Sequence, residues 1–342
     1  MVKYNVLVSG YGAIAKRHIN NLIESGSIKS LTIVKRNELN EEFDYDFPVT
    51  VYTCFNTAIS EQKFDLGIIA SPANFHYEQV KALSLLGTPC FIEKPIANTA
   101  DEADELVKHI KKIKSQCTLG YDLVKTMGYL EVEKIIRKSL LGSIWRIEVS
   151  VGQYLPDWRP NKHYRDTVSA NKNLGGGALK ELSHELDYFL AFFDIDNICF
   201  SSQLYSHKHL EMDCENEANI SGCLTLINQP QKASFSIHLN MLSLHAHRTL
   251  KIQADQGELI WNLIEQTVSL KLRHGDLQVI DVSEHSNLPY QRLMHDFVQS
   301  LNKDSTTENL SRGVQVLSWI ALIEQSANNS EYTSFKLEKN ND

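Results

Sequence analysis

The stretch Tyr4-Asn5-Val6-Leu7-Val8-Ser9-Gly10-Tyr11-Gly12-Ala13-Ile14-Ala15 decides how this chain folds. Residues 4–9 read as a buried strand, and residues 14–23 as a helix with Ile14, Ile19, Leu22 and Ile23 on its inner side. Between them Gly10 allows a tight turn, and Gly12 lets the backbone come close to a pyrophosphate. Ala15 stands where a third glycine often sits and is small enough for close helix–strand packing. The amides at the helix start, including those of Tyr11, Ala13 and Ile14, would then face two phosphates. An ordinary strand–turn–helix with small residues would look similar in isolation. The strand directly before the turn is what favours a dinucleotide cradle.

The end of the second strand bears on which dinucleotide. Residues 31–34 are apolar and β-branched, and Lys35-Arg36-Asn37 follows. Lys35 lies 20 residues beyond Ala15, where an acidic residue would bind the ribose hydroxyls of NAD. Two cations there suit a 2′-phosphate, so NADP is expected. NAD held by other contacts is the alternative.

Working outward, strands expected at 49–52, 65–70, 89–93 and 117–121 alternate with helices at 74–86 and 101–113. That rhythm implies α/β architecture with a doubly wound parallel sheet. Ser71-Pro72 ends the strand at 65–70. Ser71, Pro72, Asn74 and His76 are expected on the cofactor side of the turn. The basic run 108–114 reads as the solvated side of its helix, with Leu106, Val107, Ile110 and Ile113 facing in. Past about residue 122 the pattern changes. A helix at 128–139 leads to a strand at 144–151, and strand-like runs follow at 218–227, 233–242 and 249–254. Gly222, Gln229-Pro230 and Gln256-Gly257 punctuate them, which suggests a large, mostly antiparallel sheet with one face free for a partner. Helices near 290–301 and 313–325 close the chain, and the tail 338–342 is expected to fray. Two domains result, 1–121 for the dinucleotide and 122–342 for substrate and self-association.

Composition excludes several classes. At 342 residues and 42% hydrophobic, the chain can bury a sizeable core. A formal net charge of −8 argues against nucleic acid or an anionic membrane as partner. Six cysteines without C-x-x-C spacing read as reduced, mostly buried thiols. No apolar run is long enough to span a bilayer, and no leader pattern opens the chain, so the cytoplasm is expected. The pairs His207/His209 and His245/His247 would share faces if on strands, but no carboxylate or cysteine stands beside them at metal spacing. No metal is expected.

Two further motifs carry chemistry. In Glu93-Lys94-Pro95, proline pushes Lys94 out of helical geometry at the carboxyl end of a parallel strand, where ligands of such sheets bind. An ammonium there can hydrogen-bond a reacting oxygen and stabilise an alkoxide. A surface lysine before a turn proline is the plainer reading of the tripeptide alone. The second motif is Gly175-Gly176-Gly177 running into a helix with Leu182, Leu186, Phe189, Leu190 and Phe193 on one stripe. Glu181, His184 and Tyr188 fall on the other side. A carboxylate and an imidazole three residues apart can touch, the first orienting and the second taking a proton. The glycines permit close backbone approach to a ligand or a sharp bend. The loop Tyr154-Leu155-Pro156-Asp157-Trp158-Arg159-Pro160 with Tyr164-Arg165 is rich in groups that stack on or clamp a sugar or carboxylate. Trp158, Arg159 and Tyr164, together with Tyr121, are candidate substrate contacts; a structural crossover anchored by Trp158 fits the loop equally well.

With these motifs in this order, the chain resembles the glucose–fructose oxidoreductase / inositol dehydrogenase / rhizopine catabolism family, Gfo/Idh/MocA. The resemblance rests on Gly10 to His18, on Ser71-Pro72-Ala73-Asn74-Phe75-His76, on Glu93-Lys94-Pro95, and on the glycine run with His184-Glu185-Leu186-Asp187. It implies a Rossmann domain, an α/β domain with an open sheet, a nicotinamide cofactor, and often dimers or tetramers packed through those sheets. It also implies sugar, polyol or sugar-derivative substrates, a cis Lys94–Pro95 bond, Glu93 and Lys94 near the cofactor, and catalysis by Lys94 and His184. The Tyr154 loop is similar to that of members linked to bacterial surface sugars, including nonulosonates. One position departs from the pattern: the residue four before His184 is Lys180, and a one-residue contraction brings Glu181 to the acidic position. The expected function is hydride transfer between a sugar-like hydroxyl and NADP or NAD. A lyase or epimerase with tightly held cofactor, and a cofactor-sensing regulator, are the alternatives.

Overall fold

The computed structural model describes residues 2–36, 43–159, 161–229, 231–301 and 308–337. Asn37, Pro160, Pro230 and the tail 338–342 lie outside the described residues. The chain forms two compact units that interleave in sequence, Met1–Asp122 with Asn287–Val314, and Leu123–Ser286 with Gln315–Asp342.

In the first unit β1 (Tyr4–Ser9) leads through the glycine turn to α1 (Ala13–Glu24), then β2 (Ile28–Val34) and β3 (Val49–Tyr52). The elements α2 (Phe55–Glu61), β4 (Leu66–Ile69), α3 (His76–Leu85), β5 (Cys90–Ile92), α4 (Ala100–Ile113) and β6 (Cys117–Leu119) follow. All six strands run parallel in the order β3-β2-β1-β4-β5-β6. Val6, Leu7 and Val8 are at most 1% exposed, as an apolar strand covered on both faces requires. The inner side of α1 carries Ala15, His18, Ile19 and Leu22, while Ile14 and Ile23, expected inside, are half-buried at its margin. A reciprocal cap starts α4, in which Thr99 Oγ1 accepts from Glu102 N–H at 3.2 Å and the Glu102 carboxylate accepts from Thr99 N–H at 3.3 Å. Leu106, Val107 and Ile110 face in as expected, whereas Ile113 lies 37% exposed because the helix ends there. The short α2, rich in Ser, Thr and Asn, carried no helical periodicity to announce it.

Gly10 sets the path of the whole turn. Its φ of +91° lies in the left-handed region, and a Cβ there would overlap the Ala70 carbonyl, 2.6 Å from its carbon and closer to its oxygen. Both the torsion and the packing therefore exclude a side chain.

The second unit holds α5 (Met127–Arg137), β7 (Ile144–Gly152), α6 (Ala178–Glu181), α7 (His184–Phe192), β8 (Ile195–Tyr205), β9 (Glu217–Leu226) and β10 (Lys232–Asn240). The strands β11 (His247–Ala254), β12 (Gly257–Asn262), β13 (Thr267–Leu272) and β14 (Leu277–Asp281) complete this run. Next comes α8 (Leu288–Ser300), which belongs to the first unit, then α9 (Glu308–Asn329) and β15 (Thr333–Lys336). The sheet has the order β14-β13-β12-β11-β7-β10-β9-β8-β15, antiparallel except for the parallel pair β7/β10. Strand alternation buries Ile147, Val149, Val151, Ile220, Phe235, Ile237, Leu250 and Ile252 on one face. There Phe189 of α7 packs on Phe235 at 5.6 Å and on Trp319 of α9 at 5.5 Å between ring centroids. The opposite face is polar, with Arg146, Glu148, Ser150, Ser221, Ser234 and Ser236. A depression of about 420 Å³ on it is lined in part by Arg146, Cys223, Ser236 and Tyr332.

Chain order placed α8 in the domain 122–342, but its apolar side serves the first unit. Leu293, Met294 and Phe297 join Val6, Val8, Ala15, Ile19, Leu22 and Phe91 in one core cluster. Asn287 Nδ2 also donates to Asn21 Oδ1 at 2.7 Å. The thiols are more varied than expected: Cys90, Cys117 and Cys214 are buried, Cys199 and Cys223 half-buried, and Cys54 exposed.

Gly10 and Gly12 separate structural from ligand-facing roles. Gly10→Ala is expected to lower stability by about 2 kcal/mol or more, the scale of forced backbone strain. A Cβ at Gly12 meets nothing within 4 Å, so Gly12→Ala should leave the urea midpoint nearly unchanged. Equal losses in urea unfolding would contradict this account of the turn.

Candidate active site

In the first unit the turn after β1 is built to receive an anion. Gly12 is the N-cap of α1 with φ −85°, and no side chain caps the helix. The N-cap thus supplies no side-chain acceptor to the first turn, and the space a Cβ would occupy at Gly12 is open. Both features fit a dinucleotide pyrophosphate. Cations border the same turn. Lys16 Nζ lies 4.5 Å and Lys35 Nζ 5.9 Å from the centroid of the Tyr11 ring, and the Arg36 guanidinium lies 5.4 Å from that of Phe75. Sequence reasoning named Lys35 and Arg36 but missed Lys16. Its place in the first turn of α1, one residue after Ala15, was the available signal.

At the carboxyl ends of β4 and β5 the expected residues gather, but with different duties. Ser71 Oγ donates to Gln79 Oε1 at 2.8 Å, while Asn74 is exposed. Lys94 is half-buried between buried Glu93 and buried Pro95, and the Lys94–Pro95 peptide is cis. Glu93 Oε1 accepts from His18 Nε2 at 2.6 Å. Both ring nitrogens of His76 meet main-chain carbonyls, Nδ1 that of Pro95 and Nε2 that of Ser71, each at 2.8 Å. Expected on the cofactor side, Glu93 and His76 direct these polar atoms at the protein itself. Burial pushes His76 below the ordinary histidine pKa, against the two carbonyls and the Glu93 charge, which pull it up. Tyr121, just past β6, is 1% exposed. His18 was legible as an inner-face position of α1, in step with Ala15, Ile19 and Leu22, though no role was drawn from it.

In the second unit two of the three glycines, Gly176 and Gly177, serve tight packing. A Cβ at Gly176 would lie 2.7 Å from Ser169 O, and one at Gly177, where φ is +109°, would lie 2.7 Å from Glu215 Oε2. Glu215 caps the start of α6 twice, its backbone oxygen accepting from Ala178 N–H and Oε1 from Leu179 N–H, both at 3.0 Å. Burial pushes the Glu215 carboxyl above its usual range.

Glu181 and His184 do not share one helix, as had been expected. Leu182 (φ −98°, ψ 26°) and Ser183 separate α6 from α7, so Glu181 ends one helical piece and His184 begins the next. Lys180, Glu181 and His184 are all half-buried. Tyr188, assigned by periodicity to the polar side, is fully buried against Trp261 at 5.5 Å and Phe192 at 5.8 Å. Residues 185–190 of α7 are all buried, so the helix offers no solvent-facing side for Tyr188 to occupy. Next to His184, the fully buried Glu185 carboxylate takes a hydrogen bond from Arg248 Nε of β11 at 2.6 Å. That pair ties α7 to the sheet.

Of the loop candidates, Trp158 and Tyr164 pack on Leu155, Ala178, Leu210 and Met241, and Arg159 is exposed. The Tyr164 hydroxyl accepts from Glu211 N–H at 3.1 Å, and Arg165 pairs with the Glu211 carboxylate. His207 and His209 lie in a loop, where His207 Nε2 meets Glu217 Oε2 at 2.7 Å; of the other pair, only His247 begins a strand. Among the described residues no group of histidines, cysteines and carboxylates is placed to hold a metal.

Comparison with known proteins places this arrangement. Over 191 residues the chain is 24% identical to the rhizopine catabolism protein MocA of Rhizobium meliloti, covering 55% of this chain and 56% of that protein. It is 22% identical over 173 residues to the scyllo-inositol 2-dehydrogenase (NADP(+)) IolW of Bacillus subtilis, covering 50% and 47%. The matched stretch thus spans about half the length of these relatives. The fold is that of a levoglucosan dehydrogenase solved in complex with NADH, with a TM-score of 0.83 at 15% identity over 97% of this chain and 99% of that one. Residues 4–121 match the model of the Gfo/Idh/MocA oxidoreductase family, described by its NAD-binding Rossmann fold.

Proposed function

We propose that this oxidoreductase prefers NADP and moves a hydride between the nicotinamide and a hydroxyl or carbonyl of a sugar, polyol or sugar-acid derivative. The observation that carries the reading is the uncapped α1 start beside an open Gly12, with Lys94 presented at the carboxyl edge of the same sheet. The amides of residues 12–15 would hold the pyrophosphate, and Lys35 and Arg36, joined by Lys16, a 2′-phosphate. When bound, the nicotinamide supplies or accepts the hydride. Lys94 Nζ donates to the substrate oxygen and stabilises negative charge on it. A ring nitrogen of His184 takes the hydroxyl proton, and Glu181 orients that ring. Trp158, Arg159, Tyr164 and Tyr121 border the substrate in this reading. The name of the Bacillus relative supports both a polyol-like substrate and NADP.

The polar face of the large sheet suits a second copy of the chain. Trp145 on β7 is 51% exposed, more than a solvent-facing strand needs. The cytoplasm is the compartment in keeping with six cysteines that lack disulfide-framework spacing. No helix among the described residues is long and apolar enough to cross a membrane.

Cofactor choice is tested by titrating NADPH and NADH through nicotinamide fluorescence at fixed ionic strength. NADPH should bind more tightly, and Arg36→Asp should flatten or reverse the preference. Tighter NADH binding that Arg36→Asp leaves unaltered would remove the claim.

Turnover is tested with a panel of polyols, sugars and uronates. Lys94→Ala and His184→Ala should each lower kcat by at least ~100-fold, the usual scale for a positioned acid–base or charge-stabilising group. The cofactor Kd should hardly move, and Glu181→Gln should cost less than either. If the two residues serve one proton transfer, the double variant should be little worse than the poorer single one. Full turnover in Lys94→Ala would overturn the assignment.

A further inference from the structure

Lys94 is flanked by two residues that are each fastened by a different buried histidine. On one side Glu93 N–H completes the ladder to Ile69 O at 2.8 Å, which fixes the strand end. Its side chain then turns to His18 Nε2 at 2.6 Å, and both partners are buried. The carboxylate rests on the Gly120 backbone, where a Cβ would lie 3.0 Å from Oε1 and 3.2 Å from Cδ. On the other side His76 Nδ1 lies 2.8 Å from the Pro95 carbonyl and Nε2 2.8 Å from Ser71 O; the neutral ring donates to one of the two, and the Nδ1–H tautomer holds Pro95.

The two imidazoles come from the elements that form the dinucleotide turn. His18 sits on α1, whose first turn is the cradle. His76 begins α3, directly after the loop from Ala70 and Ser71 on which Gly10 packs. His18 is 0% and His76 1% exposed, and the His18 ring is packed against Phe91 at 4.7 Å between ring centroids. His18 Nδ1 has no hydrogen-bond partner among the described residues, so its polar work is done through Nε2.

We infer that His18 and His76 are positioning residues for Lys94, holding Glu93 and Pro95 so that the ammonium keeps one direction relative to the cofactor turn. This rests on the catalytic reading of Lys94 given above. The two bonds use different ring nitrogens, and that makes the inference separable from a general need for buried histidines. A Gln amide nitrogen can stand in for Nε2, and an Asn amide nitrogen for Nδ1. His18→Gln keeps the donor to Glu93, and His18→Asn is too short to do so. At position 76 the pattern inverts: His76→Asn keeps the donor to Pro95, and His76→Gln keeps only the Ser71 contact.

The experiment uses the full chain with these four variants. Lysines are reductively methylated with ¹³C, and the Lys94 dimethyl resonance is assigned by its loss in Lys94→Arg. NADPH affinity is read by fluorescence, and kcat with the best substrate of the panel. His18→Gln and His76→Asn should keep the wild-type Lys94 resonance and stay within about threefold in kcat. His18→Asn and His76→Gln should move the resonance toward that of a solvated lysine and lower kcat by about 10- to 100-fold, the cost of a misplaced catalytic group. NADPH affinity should change less than about threefold throughout, since the phosphate-binding amides are untouched. All four substitutions are polar and smaller than or close to histidine in size, so a folded protein remains to be measured. Identical behaviour of Gln and Asn at each position, or an unmoved resonance in His18→Asn and His76→Gln, would overturn the inference. Failure of the catalytic reading gives a different result: Lys94→Ala would keep its turnover while the resonance still followed the crossed pattern.

Discussion

The close approach of the Gly10 backbone to the Ala70 carbonyl is the constraint on which the first unit depends. No side chain fits between them, so the end of β1 and the end of β4 are held at backbone distance. Because they are, the start of α1 and the loop leading to α3 emerge side by side. One histidine from each then reaches a residue next to Lys94, His18 to Glu93 and His76 to Pro95. The open start of α1 and the strand end that carries Lys94 are thus set beside one contact that only glycine permits.

Much of this was legible in residue order, because the physics is local. Unbroken apolar runs at β1 and β4, bounded by glycine and Ser-Pro, read as buried parallel strands, and they are. The alternation in β9, β10 and β11 correctly announced a sheet with one buried face. What residue order hid was set by tertiary partners. The start of α6 is set by Glu215, far along the chain, which binds the amides of Ala178 and Leu179. Periodicity gave Tyr188 a polar side that α7 lacks, because partners cover residues 185–190 all round. The edge strands β14 and β15 are short and largely exposed, so they carry too little apolar pattern to stand out.

Side-chain duties were harder to read than side-chain presence. The motif residues Glu93 and His76 are where the pattern put them, but their hydrogen bonds close on the protein itself. The triple glycine looked like an approach to a ligand. Here two of its members are required by the oxygens of Ser169 and Glu215. A motif fixes which atoms are near one another; which of them meets solvent or ligand depends on the neighbours that burial supplies.

The return of α8 to the first unit bears on how the chain acquires its structure during synthesis. Residues 4–121 form the whole parallel sheet, yet Leu293, Met294 and Phe297 supply part of the core beside β1 and α1. When that sheet first leaves the ribosome, nearly the whole second unit has still to be made. The apolar side of α1 stays uncovered over that interval, a surface of the kind chaperones bind and on which nascent chains aggregate. The same topology makes the first unit a poor excision product. A cut after residue 121 removes a core layer along with a neighbouring domain, so the boundary a reader would draw in sequence is one the hydrophobic core does not respect.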